Sequence, residues 1–349
     1  MIDVAIIGAG MAGLVCAQQL TQAGYSVVVV EKSRGVGGRV ATRRLHDTYA
    51  DHGTCYLKST GELLERLIEL LSDRQILKVW TDTVHKLEPN EVYPTRQLPT
   101  PRYVAPLGMN AIAKFLTPGL DIRLNQRVTA ITPDDKAWHL TLDDSVELIA
   151  SSVVFAIPAP QALALLEPVT TIDPMFIENL RSVEYNPSLT VMAGYPVTSS
   201  PFPEWQAVTF EDDPDIAWVG FDSSKRTSST QPVFVLQSSA ALATRYLDTE
   251  DLNPVAQQML QRASVLLPWL SEPEWIQVQR WRYAFPSRSW QGAFLSAESP
   301  IPLVCCGDWC GGDLVAGAMV SGAIAAAEIN NQLRSLSLPG VNFLDSLSQ

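Results

Sequence analysis

The chain has 349 residues, with 25 lysines and arginines against 37 aspartates and glutamates, a formal charge of −12 at pH 7. The length suits two domains or one large domain with an insertion, and the acidic balance argues against a nucleic-acid partner or a polybasic membrane anchor. With 46% hydrophobic and 18% charged residues, the composition is that of a globular chain with a deep core.

The first thirty residues spell strand, glycine-rich turn, helix, strand: Val4 to Ile7 is an apolar run, Met11 to Ala23 a helix stopped by Gly24, and Tyr25 to Val30 a β-branched run ended by Glu31. This is a βαβ unit and implies a parallel sheet. Gly61 to Ser72 has helical periodicity, Trp80 to Pro106 looks like strands and turns, and Met109 to Leu116 is another helix. Strands follow at Asp121 to Thr132, Ala137 to Leu142 and Glu147 to Ala156. From Pro168 to about Pro300 prolines and tryptophans cluster around β-rich stretches at Ser188 to Tyr195, Ile216 to Phe221 and Val233 to Ser239, with one helix from Asn253 to Leu267. Leu303 to Gly307 is again a strand running into glycine, and a small-residue helix spans about Ala316 to Arg334. The expected fold is therefore α/β, a Rossmann-type dinucleotide-binding domain from residues 1–60, 105–165 and 300–335. A second domain, mainly antiparallel β with helices, is expected from 61–104 and 166–299, and 336–349 is expected to be a loose tail.

Five cysteines, Cys16, Cys55, Cys305, Cys306 and Cys310, lack zinc-type pairing and are too sparse for a disulfide framework, which fits a reducing cytoplasm. Cys306 and Cys310 flank Gly307-Asp308-Trp309, where the residues alone leave a redox pair and simple packing both open. No run reaches the ~18–20 apolar residues of a membrane span; Leu314 to Ala327 is short and rich in Gly, Ala and Ser, so no membrane partner is expected. His46, His52, His85 and His139 show no metal-ligand spacing, and no metal is expected.

Gly8-Ala9-Gly10-Met11-Ala12-Gly13 places G-x-G-x-x-G between the first strand and its helix. Gly8 permits the tight turn, Gly10 lets backbone approach a pyrophosphate, Gly13 lets helix pack on sheet, and the helix N-terminus offers Met11 and Ala12 N–H groups to phosphate. Glu31, followed by Lys32, stands where an acid accepts the hydroxyls of an adenosine ribose. The second βα turn is also glycine-rich, Arg34-Gly35-Val36-Gly37-Gly38-Arg39-Val40-Ala41-Thr42, and Arg39 adds a cation in an acidic protein.

That second string resembles the Gly-Gly and G-R-x-x-[ST] signature of the GR2 group of FAD-binding proteins, which includes amine oxidases, phytoene desaturases and renalases. Cys306-Gly307-Asp308-Trp309 followed by Gly317-Ala318 resembles the group's C-terminal FAD motif, Arg127-Val128 its adenine-side strand, and Phe155 to Pro160 its return segment. The resemblance implies non-covalent FAD, with Gly38, Arg39, His52, Gly53 and Val128 near it, Asp308 at the ribityl chain, and Val315 and Ala318 by the isoalloxazine. Asp51-His52-Gly53-x-x-Tyr56, Tyr103-Val104-x-x-x-Gly108-Met109, Trp281-Arg282-Tyr283-Ala284 and Gly307 to Cys310 look most like the renalase family.

Membership there implies oxidation of isomeric 1,2- or 1,6-dihydronicotinamide nucleotides to NAD(P)+ by hydride transfer to flavin N5, with O2 reduced to H2O2. Its partners are then a small nucleotide substrate and O2, and oligomeric state stays open. A hydride donor needs no proton removed, so no general base is expected; stacking and exclusion of water suffice. Candidate substrate residues are Thr54, Cys55, Tyr56, Arg102, Tyr103, Ser188, Thr190, Trp281, Tyr283 and Leu314. Leu314 stands where amine oxidases of the group place an aromatic cage residue, and an aliphatic side chain there offers a cationic amine no π-face. Another enzyme of the group, an amine oxidase or a desaturase, and a non-catalytic FAD protein remain the alternatives.

Overall fold

The computed structural model describes the chain except residues 46–47, 89–90, 95–97, 200, 228–230, 298–300, 311, 313 and 348–349, so His46 lies outside the described residues. The strand Ile2–Ile7 pairs in parallel with Val27–Val30 on one side and Glu147–Phe155 on the other. All four valines of Val27–Val30 are buried, as strands covered on both faces require. Asp121–Arg123 extends one edge, the hairpin Val128–Pro133 and Trp138–Leu142 the other, and Leu303–Cys305 returns from the C-terminal end to pair in parallel with Glu147–Phe155. The expected strand Asp121 to Thr132 is two strands, because Asn125 takes a left-handed conformation (φ 54°) and Gln126 N–H turns to the Glu31 carbonyl (3.0 Å). That break carries residues 126–128 to the end of Val27–Val30.

The second sheet runs Trp275–Arg288, Glu184–Gly194, Val233–Ser238, Ile216–Phe221, Ala207–Thr209, His85–Glu88, Glu91–Pro94. Its neighbours are antiparallel except Ala207–Thr209 with His85–Glu88. Alternation divides its faces. Leu189, Val191 and Ala193 pack against Val255, Ala256 and Met259 of the helix Asn253–Ala263, whereas Met192, Val233 and Val235 pack toward Leu45, Ala50 and Cys55 of the first domain. Ser188 and Thr190 share the parity of Met192 and face the domain junction.

Three boundaries differ from expectation. The helix Glu62–Asp73 buries Leu63, Leu64, Leu67, Ile68 and Leu71 in one core with Leu14 and Met319, so residues 61–77 belong to the first domain, not the second. Helices Ala159–Leu166 and Pro174–Arg181 pack Leu166, Phe176 and Leu180 onto Ala5, Val28 and Val153, which moves the start of the second domain from 166 to about 184; Leu295–Ser296 rejoins the first sheet before residue 300. The tail is docked rather than loose: Phe343 and Leu344 are fully buried, and Gln19 Nε2 donates to the Gly340 carbonyl (2.7 Å). Burying that apolar pair offsets the entropy of ordering the segment.

The C-terminal helix, Leu314–Leu333, starts two residues before the expected position, and by length and apolarity alone it could cross a membrane. In this fold it packs along the helix Met11–Gln22. A Cβ on Gly322 would lie 2.2 Å from the Ala12 carbonyl oxygen, so glycine sets that close approach.

Candidate active site

The glycine-rich turn separates fold-forming from ligand-facing glycines. Gly8 is left-handed (φ 105°), and a Cβ there would come 2.6 Å from the Ala156 oxygen; a Cβ on Gly13 would come 2.0 Å from the Gly8 oxygen. Gly10 is extended (φ −76°, ψ −179°), and its Cβ direction meets nothing within 4 Å. It therefore leaves an open cradle at the helix N-terminus, beside Met11 and Ala12, that fits a pyrophosphate. Glu31 is buried and braces this turn: Ala9 N–H donates to one carboxylate oxygen (2.9 Å) and Ser33 N–H to the other (2.8 Å). Lys32 is exposed next to it, and Val128 opens the adjoining hairpin strand. Gly37 N–H donates to the Ala9 carbonyl (2.8 Å), so the second turn lies on the first, and a Cβ on Gly38 would sit 3.4 Å from Gly10 Cα.

Arg39 is expected near FAD. In the structure its guanidinium grips buried Asp308 in a two-pronged ion pair (2.6 and 2.7 Å) and donates to the Ala284 carbonyl (3.0 Å), joining both FAD motifs to the second sheet. Gly307 N–H donates to Ser321 Oγ (3.0 Å) and Trp309 Nε1 to the Ile157 carbonyl (3.2 Å), which seats the strand end against the helix behind it. At that helix's start Val315 is buried and Ala318 half-buried. Leu314 is left-handed (φ 48°) and 59% exposed.

The other candidate substrate residues gather where residues 51–57 cross the second sheet. Gly53 is confined by Arg39, whose oxygen a Cβ would meet at 2.0 Å, and Thr54 N–H donates to that same oxygen (2.8 Å). His52 stacks on Trp281 (5.3 Å, 16°), and Trp281 Nε1 donates to the His52 carbonyl (2.8 Å). Gln237 Nε2 donates to the Gly53 carbonyl (3.0 Å) and reaches Cys55 Sγ (3.5 Å). Tyr56 lies between Trp80 and Trp218 with the Arg102 guanidinium 5.5 Å above its ring, and Tyr103 exchanges backbone hydrogen bonds with Leu57. Ser188 faces Trp281 across the ladder, Thr190 stands between Gln237 and Gln279, and Tyr283 meets Tyr185 edge-on (5.5 Å).

Among the described residues, the buried atoms His52 Nδ1, Thr190 Oγ1, Arg102 Nε and Trp218 Nε1 of this cluster have no hydrogen-bond partner. Orphaned buried polar atoms at the domain junction fit a bound group. Burial, with the Arg43 charge nearby, lowers the His52 pKa to about 4, so the ring is neutral. Burial pushes the Cys55 and Cys310 thiols up to about 12, and all five cysteines are free and buried, consistent with packing.

Beneath this cluster is a network the sequence did not reveal. Lys225 Nζ lies 2.6 Å from Asp222 and 3.2 Å from Asp51, and Arg226 lies 2.7 Å from Asp222 and 2.8 Å from Asp51. Asp51 also accepts from Thr42 Oγ1 (2.7 Å) and Met109 N–H (2.9 Å). Although burial opposes charge, the two cations hold the Asp51 carboxyl below its usual range and the carboxylates keep Lys225 protonated. Two acids and two bases thus sum to zero in the dry junction, immediately before His52. Nothing local marks these residues: Asp222, Lys225 and Arg226 share one helical turn, but their partner lies far away in sequence.

A dinucleotide cradle closed at both ends of the chain, with an antiparallel sheet beside it, defines a two-domain flavoprotein oxidoreductase. Residues 6–71 match an NAD(P)-binding Rossmann-like domain, and residues 100–330 match the flavin containing amine oxidoreductase family. The chain belongs to that family, and its cofactor is FAD. It is 26% identical over 303 residues to renalase of Mus musculus, covering 81% of this chain and 85% of that one. Among solved structures it shares the fold of a putrescine oxidase (TM-score 0.71, 16% identity) and of cyclohexylamine oxidase from Brevibacterium oxydans IH-35A (TM-score 0.69, 14% identity). Each alignment covers 95% of this chain and 99% of the other.

Proposed function

We propose that the protein oxidises 1,2- or 1,6-dihydronicotinamide nucleotides to NAD(P)+, with one O2 and one proton consumed and one H2O2 formed per turnover. The observation that carries this reading is the neutral wall of His52, Trp281, Thr190 and Ser188 at the domain junction, in a chain similar to renalase over most of its length. When bound, FAD, held non-covalently, supplies the two-electron acceptor and passes the pair to O2. Trp281 and the His52 ring give a planar surface for a nicotinamide, and the ion network beneath keeps that surface fixed and dry. Neutral His52 takes no proton from the donor, and none has to leave. The free, buried thiols support a cytoplasmic setting.

Aerobic turnover of each isomer tests the proposal. Equal yields of NAD(P)+ and H2O2 from a 1,2- or 1,6-dihydro form, with ordinary 1,4-NAD(P)H left largely intact, are expected. Aldehyde and ammonia from amines, with neither isomer consumed, would contradict it.

A further inference from the structure

Resting on that reading, we propose that Arg43, with Arg34 in electrostatic range and Gln277 and Gln279 behind it, forms the subsite for the phosphate of the nucleotide substrate. A nucleotide approaching a protein of charge −12 needs a local cation, and most cations near the junction are already committed. Arg39 is paired with Asp308, Lys225 and Arg226 with Asp51 and Asp222, and Arg102 lies over Tyr56 and donates to the Thr100 carbonyl. Arg43, like Arg102, donates to neutral oxygens, Gln279 Oε1 (2.7 Å) and Gln277 Oε1 (3.3 Å), and among the described residues no carboxylate pairs with it, but it is half-buried and open to an arriving anion where Arg102 is buried.

Its place suits the role. Gln277, Gln279 and Trp281 alternate along one strand, so all three face the first domain, and Arg43 stands two side chains along from the Trp281–His52 stack. A ring on that stack would direct its ribose phosphate along the same face. Partial burial and the Arg34 charge both disfavour the Arg43 cation, a cost that an arriving anion relieves. The two glutamine oxygens fix the guanidinium, leaving its remaining N–H groups for phosphate.

The test compares dihydronicotinamide mononucleotide with its riboside, which has the same ring without the phosphate, by anaerobic reduction of the holoenzyme. Wild type should bind the mononucleotide more tightly. Arg43→Gln should shrink the ratio of the two dissociation constants about tenfold, the loss of a charge-assisted contact, and Arg43→Lys should restore part of it. An unchanged ratio in Arg43→Gln would overturn the subsite. Should that variant fail to fold, wild type decides: inorganic pyrophosphate competing with the mononucleotide but not the riboside supports the subsite, and competition with neither overturns it. Failure of both donors to reduce wild-type flavin is a separate result, which removes the proposed function and the subsite with it.

Discussion

Gly10 and Gly13 sit three residues apart in one motif, yet the structure gives them opposite jobs, and substitution separates them. Gly10 has an ordinary extended backbone and open space where a Cβ would go, so Gly10→Val should fold. Its side chain would occupy the space through which a pyrophosphate reaches the helix N-terminus. Losing two charge-assisted hydrogen bonds at about 1.5–3 kcal/mol each weakens FAD binding by about 3–6 kcal/mol, or roughly 10²- to 10⁴-fold. Gly13→Ala instead drives a Cβ to 2.0 Å from the Gly8 oxygen. The backbone must separate at a cost of about 1–3 kcal/mol or more, exceeding the roughly 1 kcal/mol that alanine gains in a helix. Titration of deflavinated protein with FAD, together with thermal melting of the flavin-free form, reads both effects. The reasoning fails if Gly10→Val binds FAD as wild type does, or if its flavin-free form melts as low as that of Gly13→Ala.

Two further outcomes follow from the junction. Lys225→Met leaves Asp51 and Asp222 sharing Arg226 alone and should cost about 3–5 kcal/mol in denaturant unfolding; a loss below about 1 kcal/mol would show that the network is solvated. Because the folded Asp51 pKa is depressed, its contribution is complete above pH ~4 and is lost as pH falls through the lower folded value. His52 acts at higher pH. With a folded pKa of about 4 against an unfolded value near 6.5, the unfolded chain binds the extra proton first, so stability should drop by up to about 3 kcal/mol between pH 6.5 and 4 and then level off. Melting temperatures of wild type and His52→Gln across that range check this, and parallel curves would refute it.

The sequence made the cofactor end legible because its chemistry is local. Gly8, Gly10 and Gly13 act through their own backbone within one turn, and Gly307-Asp308 announces a strand end in the same way. The aromatic strings containing Tyr56, Tyr103 and Trp281 also converge at the junction. What stayed hidden depends on distant pairing. Asp51 has no meaning before residues 222–226 arrive across the sheet, and Arg43 next to Arg44 looks like a solvated pair until Gln277 and Gln279 meet it. Arg39 is legible as a cation near FAD, but the sequence cannot show Asp308 within its reach. Phe343-Leu344 is too short for periodicity, so only the docked fold reveals it as core.

The central claim is tested most directly by anaerobic stopped-flow reduction of the flavin, comparing 1,2- and 1,6-dihydronicotinamide nucleotides with 1,4-NAD(P)H and a set of mono- and polyamines. Bleaching by a 1,2- or 1,6-dihydro isomer within about a second, at ordinary enzymatic rates, with slow or no reduction by the amines, is the predicted result. Reduction by amines alone would contradict the account and return the wall of His52 and Trp281 to amine chemistry.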